Sequence, residues 1–180
     1  MPGTLRQPGA VLLVSLYELG HQPLQLASPL GFLRAAGFAP QVLDLYAERF
    51  APERVAAAQA ILIAVPMHTA LRLGLRLLAR ARAINPQALV AFYGLYATLN
   101  AGHLFDQGAD AIVGGEHESA LVALCAALTA APSGKAELGP IPGVMTRAHP
   151  ATPVLARLPF VPPARDTLLP LGRYARFDPG

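Results

Sequence analysis

The chain has 180 residues, of which 53% are hydrophobic and 14% charged, with a net charge of +3. That charged fraction lies well below the ~25% of an average globular chain, which excludes disorder over most of the length and leaves one domain, or one domain with a tail. A mean hydropathy of +0.41 raises the membrane question, but the longest apolar stretch, Ala60–Met67, is much shorter than the ~20 residues of a span.

Other classes fall on residue types. The opening MPGTLRQPGA is followed by an apolar run of strand length and then by Glu18 and His21. That is no signal peptide, and a cytoplasmic protein is expected. The positive charge is almost all arginine, scattered or repeated on one helix as Arg72, Arg76, Arg80 and Arg82, with Lys135 the only lysine. Without interleaved aromatics this reads as a solvated helix face, so no nucleic acid and no membrane is expected as a partner. The single cysteine, Cys125, lies in the apolar run Ala120–Ala131. It reads as a small core residue, and one cysteine cannot build a disulfide framework or ligate an iron–sulfur cluster.

In chain order, Val11–Leu16 reads as a strand buried on both faces, and helical text runs from about Pro23 to Ala36, closed by Gly37. Gln41–Leu45 is a second strand and Pro52–Gln59 a short helix with proline in its first turn. Ala60–Val65 is the third strand, Thr69–Ile84 a long helix ending at Asn85-Pro86, and Leu89–Tyr93 the fourth strand. Asn100–Gln107 is a short helix closed by Gly108, Asp110–Val113 a fifth strand and Ser119–Ala131 a further helix. The alternation predicts an α/β fold: a doubly wound, five-stranded parallel sheet in the flavodoxin-like order 2-1-3-4-5.

From about Pro132 prolines and glycines crowd in, with one plausible extra strand around Gly143–Arg147. We therefore divide the chain into a domain over 9–131 and an extension and linker over 132–180, the chain stopping in loop text near a domain boundary.

In an open α/β sheet, ligands bind beyond the carboxyl ends of the strands. After strand one stand Tyr17, Glu18, Leu19, Gly20 and His21; after strand three, Pro66, Met67, His68 and Thr69. After strand four stand Gly94, Leu95 and Tyr96; after strand five, Gly114, Gly115, Glu116 and His117. These sixteen positions are the candidate binding residues; no catalytic residue and no metal ligand is assigned. Glycines there serve turns or let a ligand approach the backbone. Glu116 and Glu118 suit a helix N-terminus. The tyrosines suit packing or the exclusion of water. The acidic cluster, aspartate and lysine of a phosphoacceptor receiver are missing, as are G-x-G-x-x-G, a P-loop and a hydroxyl-rich phosphate cradle. Long, fairly apolar, aromatic loops suit a large, flat, partly apolar ligand.

The stretch from Ala60 to Leu121 resembles the cobalamin-binding domain found at the front of many radical SAM enzymes. The residues that carry the likeness are Ala60–Thr69, the helix to Asn85-Pro86, Tyr93-Gly94, Asp110-Ala-Ile-Val113, and Gly115-Glu116-His117-Glu118-Ser-Ala-Leu121. Val161–Pro170 resembles that family's proline-bearing linker into its catalytic barrel. Leu16–Pro23, Pro66–Ala70 and Tyr93–Ala97 look closest to the CUAEP/CCAEP-tail radical SAM group. The general likeness covers about residues 9–177.

Two departures matter. The cobalt-ligating Asp-x-His-x-x-Gly is replaced by Tyr17-Glu-Leu-Gly-His21-Gln-Pro, and C-x-x-x-C-x-x-C is missing. The resemblance thus implies cobalamin held with its base detached and without a histidine ligand. It also implies a radical SAM domain, with a [4Fe-4S] cluster and S-adenosylmethionine, beyond Gly180. Such a pair would support methyl transfer or another radical reaction. The alternative is a non-catalytic flavodoxin-like module that binds another ligand or a partner.

Overall fold

The computed structural model describes residues 5–131, 134–152, 154 and 159–174. Of the extension expected over 132–180, residues 132, 133, 153, 155–158 and 175–180 lie outside the described residues.

Strands β1 (Val11–Ser15), β2 (Gln41–Asp44), β3 (Ala60–Ala64), β4 (Leu89–Tyr93) and β5 (Ala111–Val113) form a parallel sheet in the order 2-1-3-4-5. Registers such as Val14↔Ile63 and Ile63↔Phe92 bring their carboxyl ends to one rim. β1, β3 and β4 are buried at every residue, as a sheet covered on both faces requires. Alternate residues serve opposite faces. Leu12, Val14, Ile63 and Phe92 pack with α3 (His68–Ile84). Leu13, Leu62 and Tyr93 pack with α1 (Leu24–Ala35) and the helix His117–Ala130. Cys125 sits in the second core, where burial raises its thiol to about 12, which makes it an inert packing residue.

The sheet has six strands, not the expected five. Val144–Met145, from the segment read as a plausible extra strand, forms β6 antiparallel to β5. The physical reason is the edge: β5 alone would leave a row of backbone groups unpaired, and the turn at Gly143, with φ 76°, brings β6 back against it. Among the described residues, no helix is long and apolar enough to cross a membrane.

The helices that follow β3, β4 and β5 begin earlier than the sequence suggests. α3 starts at His68, and the chain after β4 turns at once into α4 (Leu95–Leu99) and α5 (Ala101–Asp106). The last long helix, α6, starts at His117; α2 is Pro52–Ala57.

Within α1 stands Pro29. Proline has no N–H to give, so the carbonyl four residues back loses its helical donor. That carbonyl belongs to Gln25, and it accepts the hydroxyl of the fully buried Tyr93 at 2.6 Å.

The segment 159–174 lies along α1 as a strap. The Ala164 N–H donates to the Ala27 carbonyl at 2.8 Å, and Arg34 binds Asp166 at 2.6 Å. Gln22 donates to the Leu169 carbonyl at 2.9 Å and accepts from Arg165 at 2.5 Å. Gly31 permits this contact, since a Cβ there would stand 2.6 Å from the Pro162 carbonyl oxygen.

Two predictions follow from these contacts. Tyr93→Phe strands the Gln25 carbonyl and costs ~1–3 kcal/mol in denaturant unfolding. In a Pro29→Ala background the restored backbone N–H takes that carbonyl and the cost shrinks; equal costs in both backgrounds would refute the link. Gly31→Val lifts the strap, so trypsin cuts at Arg165 and Arg173 in the variant while far-UV circular dichroism is unchanged; equal protease resistance would contradict the docking.

Candidate functional site

The loop after β1 is the most strained part of the rim. Leu19 has φ 53°, and it is the only non-glycine residue with positive φ among those described; Gly20 follows at 75°. A leucine in this region costs ~1–2 kcal/mol, and such strain gathers at functional sites. The Leu19 side chain is 60% exposed. The His21 N–H closes the turn on the Glu18 carbonyl at 2.9 Å, and its ring is exposed.

This turn sends the Glu18 side chain inward. Its carboxyl meets the backbone N–H groups of Gln25 and Leu24, at the start of α1. Burial raises its pKa from 4.5 to about 7, against the Gln25 N–H; the nearby Asp44 raises it further, and Leu24 N–H and Arg165 oppose. Glu18 Oε2 and Gln25 Oε1 are both buried and have no hydrogen-bond partner. The two chain neighbours of this strain, Tyr17 and Gly20, are half-buried and buried.

After β3, Pro66 and Met67 are half-buried, while His68 and Thr69 are exposed on the first turn of α3. After β4, Gly94 has φ 100°, and a Cβ there would stand 3.0 Å from the Val65 carbonyl oxygen. Backbone closeness therefore dictates this glycine. It turns the chain into α4, where Leu95 is 65% exposed and Tyr96 half-buried. The Tyr96 carbonyl accepts from Asn100 Nδ2 at 2.8 Å.

After β5, Gly114 packs beside Thr98, while Gly115 and Glu116 are exposed. His117 is buried, its ring 5.0 Å from that of Tyr93 and its Nδ1 3.3 Å from the Gly115 carbonyl oxygen. Burial lowers its pKa, against the attraction of Glu118, so the ring serves as a neutral packing group. Glu118 accepts from Ser28 Oγ at 2.7 Å, which ties α6 to α1 above Tyr93.

At β2 the rim is closed by aromatic rings. Tyr174 of the strap donates to the buried Asp44 at 2.7 Å and stacks on Tyr46 at 6.3 Å, and Tyr46 lies 6.0 Å from Tyr17. Burial raises the Asp44 pKa while the Tyr174 hydrogen bond lowers it.

The sixteen sequence-selected residues thus stand around one rim but do different work. Leu19, Pro66, Met67 and Leu95 present apolar surface, with the exposed His21, His68 and Thr69 among them. His117 packs against Tyr93 instead. Among the described residues, no group of three or more His, Cys, Asp or Glu could hold a metal ion. A cavity of about 350 Å³ opens at the opposite end of the sheet, lined by Gln59, Asn85, Leu89 and Lys135. Size alone thus does not point to the rim; its strain and its unpartnered oxygens do. Sequence reasoning missed Gln25, Ser28, Asp44 and Tyr174. Only Asp44 carried a local signal, as a carboxylate at the end of a buried strand.

The raised Glu18 pKa has a measurable consequence. Its contribution to stability is present below pH 4.5 and is lost as pH rises through about 7. Thermal melts therefore fall between those values, and Asp44 acts in the same direction above 3.8. Glu18→Gln removes the Glu18 part, so it matches wild type at pH 4 and melts higher at pH 8. Parallel profiles for the two proteins would rule the burial out.

Compared with known proteins, the chain matches no family model and no curated protein.

Proposed function

We propose that this chain is the cobalamin-binding domain of a cytoplasmic radical SAM enzyme. The corrin would lie on the rim, base-off and without a histidine ligand. The [4Fe-4S]/S-adenosylmethionine domain of the same polypeptide would lie outside these 180 residues. The observation that supports this reading best is the exposed apolar rim itself. Leu19 and Leu95 stand open over the carboxyl ends of β1 and β4, beside half-buried Pro66 and Met67. Exposed apolar side chains can mark a binding face, and these stand at the rim where open α/β sheets receive ligands.

The residues present fit such a group in kind. Leu19, Pro66, Met67 and Leu95 offer apolar side chains to a corrin face. Gly115, with no atom near the place of a Cβ, offers bare backbone. Cobalamin, when bound, supplies methyl transfer or assists another radical reaction; the chain binds and orients it. A second reading, a non-catalytic module that docks a partner protein, draws on Leu99, 69% exposed on the same short helix as Leu95.

The test is direct. The protein is mixed with hydroxocobalamin, desalted, and its visible spectrum recorded. Wild type retains the corrin with a detached-base spectrum. Leu95→Asp weakens retention ~10-fold or more with an unchanged melting temperature. No retention by wild type at ligand on the order of 100 µM overturns the proposal and favours the partner-binding module.

A further inference from the structure

We infer that a second binding site lies on the α3 face of the sheet, in the cavity between α3 and the loop after β2, and that it takes a small carboxylate carried on an apolar body. None of its lining residues is among the sixteen rim positions, so the inference stands apart from the cobalamin reading.

The cavity has a volume of about 310 Å³, inside the ~300–1,000 Å³ range of small-ligand pockets. Its apolar walls come from three places. Leu16 directly follows β1, and Leu45 directly follows β2. Leu73 and Leu77 come from α3, where positions 73, 76, 77 and 80 share one stripe of the helix. Leu16 and Leu77 are buried in the core on the α3 face, and Leu45, Phe50 and Leu73 are half-buried against it. The floor of the cavity is thus continuous with the core, while its walls are open to solvent.

Two cations stand in this apolar setting. Arg76 and Arg80 line the cavity one helical turn apart. The Arg80 guanidinium lies over the Phe50 ring, 3.6 Å from its centroid. Stacking uses the flat face of the group and leaves the N–H donors of its edge free. Neither arginine has a hydrogen-bond or ion-pair partner among the described residues. Arg34, Arg54, Arg82 and Arg147, by contrast, each meet a carboxylate of the chain. Arg49 and Arg72 also lack such a partner, but they lie outside the cavity. The one acid on the lining, Glu48, is engaged: Oε1 accepts the Asp44 N–H at 2.9 Å, and Oε2 faces Arg54 at 3.4 Å. The charge of Arg76 and Arg80 is therefore left for something from outside.

The two features together select the ligand. A guanidinium edge matches a planar carboxylate through two parallel hydrogen bonds. A bare anion would meet that demand but leave Leu45, Phe50 and Leu73 wet. A neutral hydrocarbon would cover those side chains but leave both cations unanswered. An aryl or branched alkyl acid satisfies both, with its head on Arg76 and Arg80 and its body on the leucines.

The experiment titrates the isotope-labelled whole chain with phenylbutyrate at neutral pH and follows backbone amide shifts by NMR. Wild type should saturate with a Kd on the order of 1 mM or tighter, with the shifts centred on Leu45, Phe50, Leu73 and Leu77. Acetate, and the uncharged phenylbutanol, should each bind about tenfold more weakly or worse, and added salt should weaken phenylbutyrate. Arg76→Gln and Arg80→Gln should each weaken it about tenfold, whereas Arg72→Gln, on the same helix but outside the cavity, should leave the affinity unchanged. The inference is overturned if wild type does not saturate by roughly 10 mM, if phenylbutanol binds as well as the acid, if the shifts centre elsewhere, or if Arg72→Gln weakens binding as much as Arg80→Gln. The comparison of acid with alcohol uses wild type alone, so it holds even if a variant fails to fold. Corrin retention is measured separately, and neither result decides the other.

Discussion

A missing hydrogen bond organises the carboxyl rim of this molecule. Pro29 deprives the Gln25 carbonyl of its helical donor, and Tyr93, buried in the sheet, supplies one at 2.6 Å. The bond crosses from β4 to the first turn of α1, so it fixes where that helix starts relative to the sheet. The position of the Leu24 and Gln25 N–H groups follows, and with it the place where the Glu18 carboxyl can rest. His117 and the Ser28–Glu118 bond pack above the same tyrosine and close the space between α1 and α6. The open part of the rim is thereby left to Leu19, Pro66, Met67 and Leu95.

The strands and their order were legible because a sheet buried on both faces writes itself as unbroken apolar runs, as in Val11–Ser15 and Leu89–Tyr93. The helix starts were less so, for a definite reason. α3, α4 and α6 are preceded by Met67, Gly94 and Glu116, none of which makes a side-chain cap bond. Without the Ser, Thr or Asp that usually marks a helix start, His68, Leu95 and His117 read as loop. β6 was visible only as a short plausible strand, since its pairing partner is chosen by the exposed edge of β5. At the site, the rim positions could be named from topology alone. Leu19's strain could not be read, because leucine carries no preference for positive φ. Asp44–Tyr174 spans 130 residues, beyond the reach of any local pattern.

The strap ties the extension to the domain by specific bonds rather than by loose apolar contact. Gly31 allows its backbone to lie against α1, Arg34 and Gln22 hold its middle, and Tyr174 inserts its hydroxyl against Asp44. Two of those holds stand at the rim, Gln22 in the loop after β1 and Asp44 at the end of β2. Arg165 also acts on Glu18. Movement of the strap would therefore be felt in the charge environment of the candidate site.

The two ends of the sheet differ in how completely their polar groups are satisfied. At the amino end, Asp110 Oδ2 accepts from the Val90 N–H at 2.8 Å, Arg82 at 2.5 Å and Lys135 at 3.2 Å. Asn85 Nδ2 donates toward the carbonyls of Val55, Ala56 and Ala58, while its Oδ1 takes the Ala88 N–H. Charged groups there have partners, and the local demand for stability is met. At the carboxyl end a carboxylate is buried and pushed to about 7, its Oε2 lacks a donor, and the leucine beside it sits at φ 53°. Each of these departures costs stability. Departures of this kind from local rules gather at functional sites. The opening of about 350 Å³ at the satisfied end is accordingly a gap between well-paired elements, whereas the rim combines strain, unpaired acceptors and apolar exposure within one short loop and its neighbours. That coincidence, rather than concavity, is the physical reason to propose ligand binding at the carboxyl end.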